Sequence, residues 1–164
     1  MTNESINYTL DPVKLKGNFD ILHFDADGNL IDERHGSNVI TNAGIAEVAS
    51  LILTDNPGTA TAFDYIAIGT GTTAEGATDT ALETEITTGG GERAASTGTL
   101  VTTTVTDDTA QLQHTFSFTS TFAVTEAGIL NAASAGTLLC RKTFSAVNVA
   151  SGDSLQVTYK VQVS

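Results

Sequence analysis

The chain has one cysteine, no tryptophan, one methionine, two prolines and only seven Lys and Arg among its 164 residues. Each scarcity excludes something. A lone Cys140 cannot form an intrachain disulfide, and its place in the alternating stretch "LLCRKTF" predicts a buried small hydrophobe. The few basic residues face nineteen Asp and Glu, a formal net charge of -12. That charge repels phosphate backbones and anionic lipid headgroups, so neither nucleic acid nor membrane is an expected partner. No apolar run approaches the ~20 residues of a membrane helix. The opening Met1-Thr2-Asn3-Glu4-Ser5 lacks the basic and apolar parts of a secretory signal, so synthesis in a cytoplasm is expected. Sugar sites usually present aromatic platforms, and here the three Tyr and seven Phe fall mostly at core-facing positions of predicted strands.

What is present reads as one folded domain, since 40% of residues are hydrophobic and 16% charged. "FDILHFDADGNLIDERHGSNV", Phe19 to Val39, is a β-hairpin turning at Asp27-Gly28. Thr41-Asn42 open one helix near residues 42–54, with Ile45, Val48, Ala49 and Ile52 on its apolar face and Asp55-Asn56-Pro57-Gly58 as its stop. From Phe63 onward β-branched residues dominate. Strands are predicted in "FDYIAIG", "STGTLVTTTVT", "AQLQHTFSFTS", "EAGILNA", "TLLCRKTFSAV" and "DSLQVTYKVQVS". In the last, Leu155, Val157, Tyr159, Val161 and Val163 alternate with Gln156, Thr158, Lys160 and Gln162, one set facing the core and the other water. With one helix available there is no crossover for parallel strands, so the expected fold is mainly all-β, an antiparallel β-sandwich with a jelly-roll-like arrangement as one version. Residues 17–164 are expected to form this domain, and Met1 to Lys16, where Pro12 favours an extended run, are expected to form an N-terminal arm laid across a neighbouring subunit. "TTGGGER", Thr87 to Arg93, reads as a flexible loop.

Several patterns invite chemistry. Gly69-Thr70-Gly71-Thr72-Thr73-Ala74 has the G-x-G-x-x-A lettering of a dinucleotide-binding turn, but that turn needs an amphipathic helix behind it and an acidic residue ~20 positions on. "TAEGATDTALETEI" offers no apolar stripe, and the acidic position falls in the Gly89-Gly90-Gly91 loop. No cofactor is expected, and Gly69 and Gly71 are read instead as permitting unusual backbone dihedrals at a sharp turn. Asp25 and Asp27 hint at a calcium loop, but Gly28 stands fourth rather than sixth, which favours a plain hairpin tip. His23, His35 and His114 show no metal-ligand spacing and read as surface or edge residues. Glu83 and Glu85 read as solvated charges, and no Ser, Thr or Cys140 stands in a nucleophile signature. No catalytic, cofactor-binding or metal site is therefore assigned, and the chain is not expected to be an enzyme.

Four segments taken together, "TNAGIAEVASLI", "FDYIAIGTGTTAEGATDTALETEI", "DDTAQLQHTFSFTSTFAVTEAGILNA" and "RKTFSAVNVASGDSLQVTYKVQV", resemble small structural proteins of tailed bacterial or archaeal viruses. The resemblance covers roughly Asn42 to Val163. It implies a virion component, with two placements: a capsid decoration (cement) protein on the outer surface of the head, or a tail or fibre component that contacts host surface carbohydrate. Under the first, the partners are the major capsid protein and further copies of this chain, with trimers expected if it occupies local threefold positions.

Overall fold

The computed structural model describes residues 13–53 and 60–164. Ten strands and one helix follow in order: β1 (Leu15–Phe24), β2 (Leu30–Ser37), β3 (Val39–Ile40), α1 (Asn42–Leu51), β4 (Tyr65–Gly69), β5 (Ala94–Ala95), β6 (Thr97–Val101), β7 (Thr109–Ser117), β8 (Phe122–Leu130), β9 (Leu138–Val149) and β10 (Ser154–Val163). They build two five-stranded antiparallel sheets, β2-β1-β10-β7-β6 and β3-β9-β8-β4-β5. The expected antiparallel sandwich is present. Ile21, Leu112, Phe116, Leu155, Val157 and Tyr159 from the first sheet share one core with Ile66, Ile68, Val124, Ile129, Cys140 and Val147 from the second.

Local chemistry explains most element boundaries. The β1–β2 hairpin turns through Asp25 to Asn29, where the Asp25 carboxylate accepts from the backbone N–H groups of Asp27 and Asn29 and Gly28 takes a left-handed φ of 83°. Thr41 caps α1 by accepting from the Gly44 N–H while its hydroxyl donates to the Leu138 carbonyl, so the cap also anchors the helix to the second sheet. In β10, Leu155, Val157, Tyr159 and Val161 are buried as the alternation requires. Val163 is half exposed because the sandwich ends there, and Thr158 on the outer face is buried beside Gln113.

The structure corrects three expectations. Residues 1–12 of the arm placed at Met1 to Lys16 lie outside the described residues, but Leu15 and Lys16 belong to β1, paired with Val163 and Gln162. Lys14 and Ser164 exchange backbone hydrogen bonds beyond them, because pairing adds two bonds wherever β10 still offers an edge. The helix ends at Leu51, before the Asp55-to-Gly58 stop, which lies outside the described residues. Its face is also rotated: Ile45 and Ile52 are exposed, and the buried residue of α1 is Gly44. Close approach to β9 decides this, since a Cβ on Gly44 would stand 2.6 Å from the Leu139 carbonyl oxygen and 2.7 Å from its Cα. Finally, "TTGGGER" is a packed turn. Gly89 and Gly90 adopt left-handed φ, a Cβ on Gly90 would lie 1.9 Å from the Ser117 carbonyl oxygen, and Gly91 is buried against Ile86 and Phe118. Glycine runs resemble flexible loops in sequence even where they are glycine for want of space.

Gly44→Ala should destabilise the fold although alanine improves helix propensity by about 1 kcal/mol, because the methyl meets backbone that cannot yield. A net loss of about 1–2 kcal/mol in urea unfolding is expected, with the neighbouring Ala43→Ser near neutral.

Candidate functional site

The most concentrated chemistry lies on the outer face of the second sheet. A register shift between Val124 and Glu126 in β8 breaks the two-residue repeat. Val124, Ala127 and Ile129 all enter the core, while Glu126, Gly128 and Leu130 take the opposite face. Strict alternation from Val124 would have driven the Glu126 carboxylate between the sheets. It meets instead the β4–β5 connection, residues 70–93, which folds back across this face and seats Leu82 against Ala67, Leu130 and Leu138.

Glu126 is fully buried, and its carboxylate accepts four hydrogen bonds. The backbone N–H groups of Gly71 (3.0 Å), Thr84 (2.7 Å) and Glu83 (3.0 Å) reach it from the connection, and Arg141 Nε reaches it from β9 (2.8 Å). Arg141, 3% exposed, also donates through Nη1 to Asp79 Oδ2 at 2.9 Å, with Nη2 3.6 Å from Glu83 Oε2. Burial alone would lower the guanidinium pKa, but the bonds from Asp79 and Glu126 outweigh it and raise it, so the charge is secured. A second station lies nearby. Glu75 accepts from Lys142 Nζ (2.5 Å) and from the Thr143 backbone (3.1 Å) and hydroxyl (2.5 Å). Burial would raise its pKa, yet these donors bring it down to about 2. At the far end Arg93 grips Glu85 with two bonds and donates to the carbonyls of Ala132 and Ala135.

This arrangement assigns the glycine turn its reason. Neither Gly69 nor Gly71 has a positive φ. A Cβ on Gly69 would stand 2.4 Å, and one on Gly71 2.5 Å, from Glu126 Oε1. The expectation of unusual dihedrals is therefore replaced by one of space: these glycines make room for a buried carboxylate. Glu83 and Glu85 are likewise not free solvated charges. Glu83 accepts from the Thr73 backbone and hydroxyl, Glu85 holds Arg93, and the two carboxylates serve separate partners.

Above Arg141 lies an open depression of about 400 Å³ bordered by Thr73, Thr78, Asp79, Thr80 and Glu83. The Thr73 hydroxyl donates to Glu83, but the Thr73 backbone and hydroxyl bonds hold the Glu83 carboxyl below its usual range, which makes it a poor proton acceptor. The other sequence candidates remain apart. His23 is buried rather than at the surface, 3.0 Å from Asp153, because β1 runs beside the turn that opens β10. His35 is exposed beside Asp20, and His114 stacks edge-on against Phe116. Cys140 is buried, its thiol pushed up to about 12 by burial. Among the described residues no group of three or more His, Cys, Asp or Glu could hold a metal ion. The signal that could have revealed Glu126 and Arg141 is charge inside two largely apolar strands, the single Glu of "FAVTEAGIL" and the Arg-Lys pair of "LLCRKTF".

A different kind of surface occupies one end of the sandwich. Val13 (77% exposed) and Ile45 border one shallow depression with Leu15, and Leu15 continues into an apolar groove of about 350 Å³ with Leu51, Phe63, Leu100 and Val163. Ile52 (81%) and Leu53 extend the apolar character past α1. Large exposed aliphatics gathered at one end mark a contact surface.

Glu126→Ala should cost about 3–5 kcal/mol, since it strands the buried Arg141 charge, and Glu126→Gln less; denaturant unfolding measures both. Acid should loosen the connection through Glu75. Its folded pKa of about 2 lies below the ordinary 4.5, so its contribution, about 3 kcal/mol, is fully present above pH 4.5 and is lost as pH falls toward 2. Glu75→Gln should flatten that part of the stability–pH profile.

No family model matches the chain, and neither a curated protein nor a solved structure matches it. A role must be argued from the chain's own geometry.

Proposed function

We propose that this protein is a structural component of a tailed-virus particle, a decoration protein that binds the assembled head and ties neighbouring capsid subunits together. The observation that carries this reading is the exposed apolar end formed by Val13, Ile45, Leu51, Ile52 and Leu53. A shell-facing surface needs such a patch. The clamped connection supports the same reading, because a bridging protein transmits load only if its own loops do not give way. Many weak copies suffice, as each need only bind the assembled shell better than its free parts. The charge of -12 suits an outer surface facing solvent more than one facing packaged genome. The resemblance to virion proteins noted above points the same way, as does an architecture whose conspicuous charges are spent on holding a loop.

The second placement, a tail or fibre component touching host carbohydrate, draws on the polar depression over Arg141, with its threonine hydroxyls and carboxylates.

Immunogold labelling of intact particles separates the placements: gold over the head is expected, and gold confined to the tail or its tip would overturn the decoration reading. Ile45→Asp, at an exposed position, should leave unfolding unchanged and reduce occupancy on particles at least tenfold.

A further inference from the structure

The sheet edges of this molecule are unequal. β3 and β5, at the two edges of the second sheet, are two residues each. At one edge of the first sheet, β2 carries Asp32, Glu33, Arg34 and His35, charges of the kind that discourage edge pairing. β6 at the other edge, Thr97-Gly98-Thr99-Leu100-Val101, has neither charge nor proline, and β7 is its strand neighbour on one side only. Four of its five residues are exposed, Leu100 by 65%.

The inward face of this edge is also unfilled. Gly98 and Leu100 lie opposite Leu112 and Ala110 in β7, and Leu112 is a core residue. The second sheet ends in the two-residue β5, so it does not extend far enough to cover them. A hollow of about 270 Å³ is left, bordered by Phe63, Gly98, Leu100 and Leu112, with Asp64 at its rim. Around Gly98 a Cβ would meet nothing within 4 Å.

From this geometry we infer that β6 pairs with β6 of a second copy, antiparallel about a two-fold axis at Thr99. In that register Thr97 faces Val101 of the other copy, and Gly98 faces its Leu100. The strand is self-complementary: each exposed leucine enters the space beside the other's glycine, and the two five-stranded sheets join into one of ten. Charge and area set its strength. Each copy carries -12, so association must use an uncharged edge and must strengthen as salt screens the rest. A five-residue strand pair with two leucines buries less than the ~1,200 Å² of a stable interface, which makes this a weak dimer that forms at high concentration or on a surface holding many copies. Leu100 also borders the apolar groove of Leu15 and Leu51, but the inference rests on the backbone edge and self-complementary order of β6, so it does not depend on the virion reading.

The test is sedimentation equilibrium of the full chain from about 10 μM to 1 mM, at ~0.15 and ~0.6 M NaCl. A monomer–dimer equilibrium that tightens with salt is expected. Leu100→Lys should weaken it at least tenfold. Gly98→Ile, which fills the hollow in a position that can accept a side chain, should do the same while the circular dichroism spectrum and unfolding midpoint stay unchanged. Backbone amides of β6 should gain exchange protection with concentration. A monomer at 1 mM, a trimer, or a dimer insensitive to Gly98→Ile would each overturn the assignment.

Discussion

One buried carboxylate organises the outer half of this protein. Glu126 sits on the outer face of the second sheet without access to water, and a charge in that position is tolerable only when its lone pairs are satisfied. Three backbone N–H groups and one guanidinium do this. The three amides come from residue 71 at the start of the connection and residues 83–84 near its middle, so the requirement of one side chain closes a long chain segment into a defined shape. Other features of this face follow from it. The shift in β8 turns Glu126 outward, Gly69 and Gly71 leave room for its oxygens, and Arg141 carries the network on to Asp79 and Glu83.

The consequence for dynamics is that a connection rich in threonine, glycine and alanine is held at several separated points. Glu126 holds its start against its middle, Glu75 ties its first half to β9, and Arg93 fastens its return to the carbonyls after β8. Glycine contributes through absence of a side chain more than through flexibility: Gly128 admits Leu82, and Gly91 admits Ile86. Long connections that order themselves so thoroughly are usually functional. Here the order serves stiffness, which fits a protein whose proposed work is to hold others in place.

The proposed contact surfaces are apolar or uncharged at their centres, with charged residues such as Lys14, Asp64 and Asp108 on their borders. The acidic surplus keeps copies apart in general, while the apolar end around Ile45 and the uncharged edge at β6 are local exceptions. Such a division lets a highly negative molecule remain dispersed and still associate in chosen orientations.

The sequence by itself determined most of the strands, because alternation in "LQVTYKVQV" and the turn at Asp27-Gly28 act over a few residues, but not the two-residue β3 and β5 or the first residues of β8. It also determined the sandwich class, since one helix cannot supply crossovers, and the burial of Cys140. It did not reveal why Gly69 and Gly71 are glycine, why Ile45 is exposed, or that Glu83 and Glu85 are engaged. Those depend on what arrives from residues far along the chain: Glu126 against the glycines, Leu139 against Gly44, and Arg141 and Arg93 against their acids. Only the tertiary structure decided them, because a carboxylate in a strand becomes a buried anchor or a solvated charge according to what the fold lays over it, and no local pattern encodes that cover.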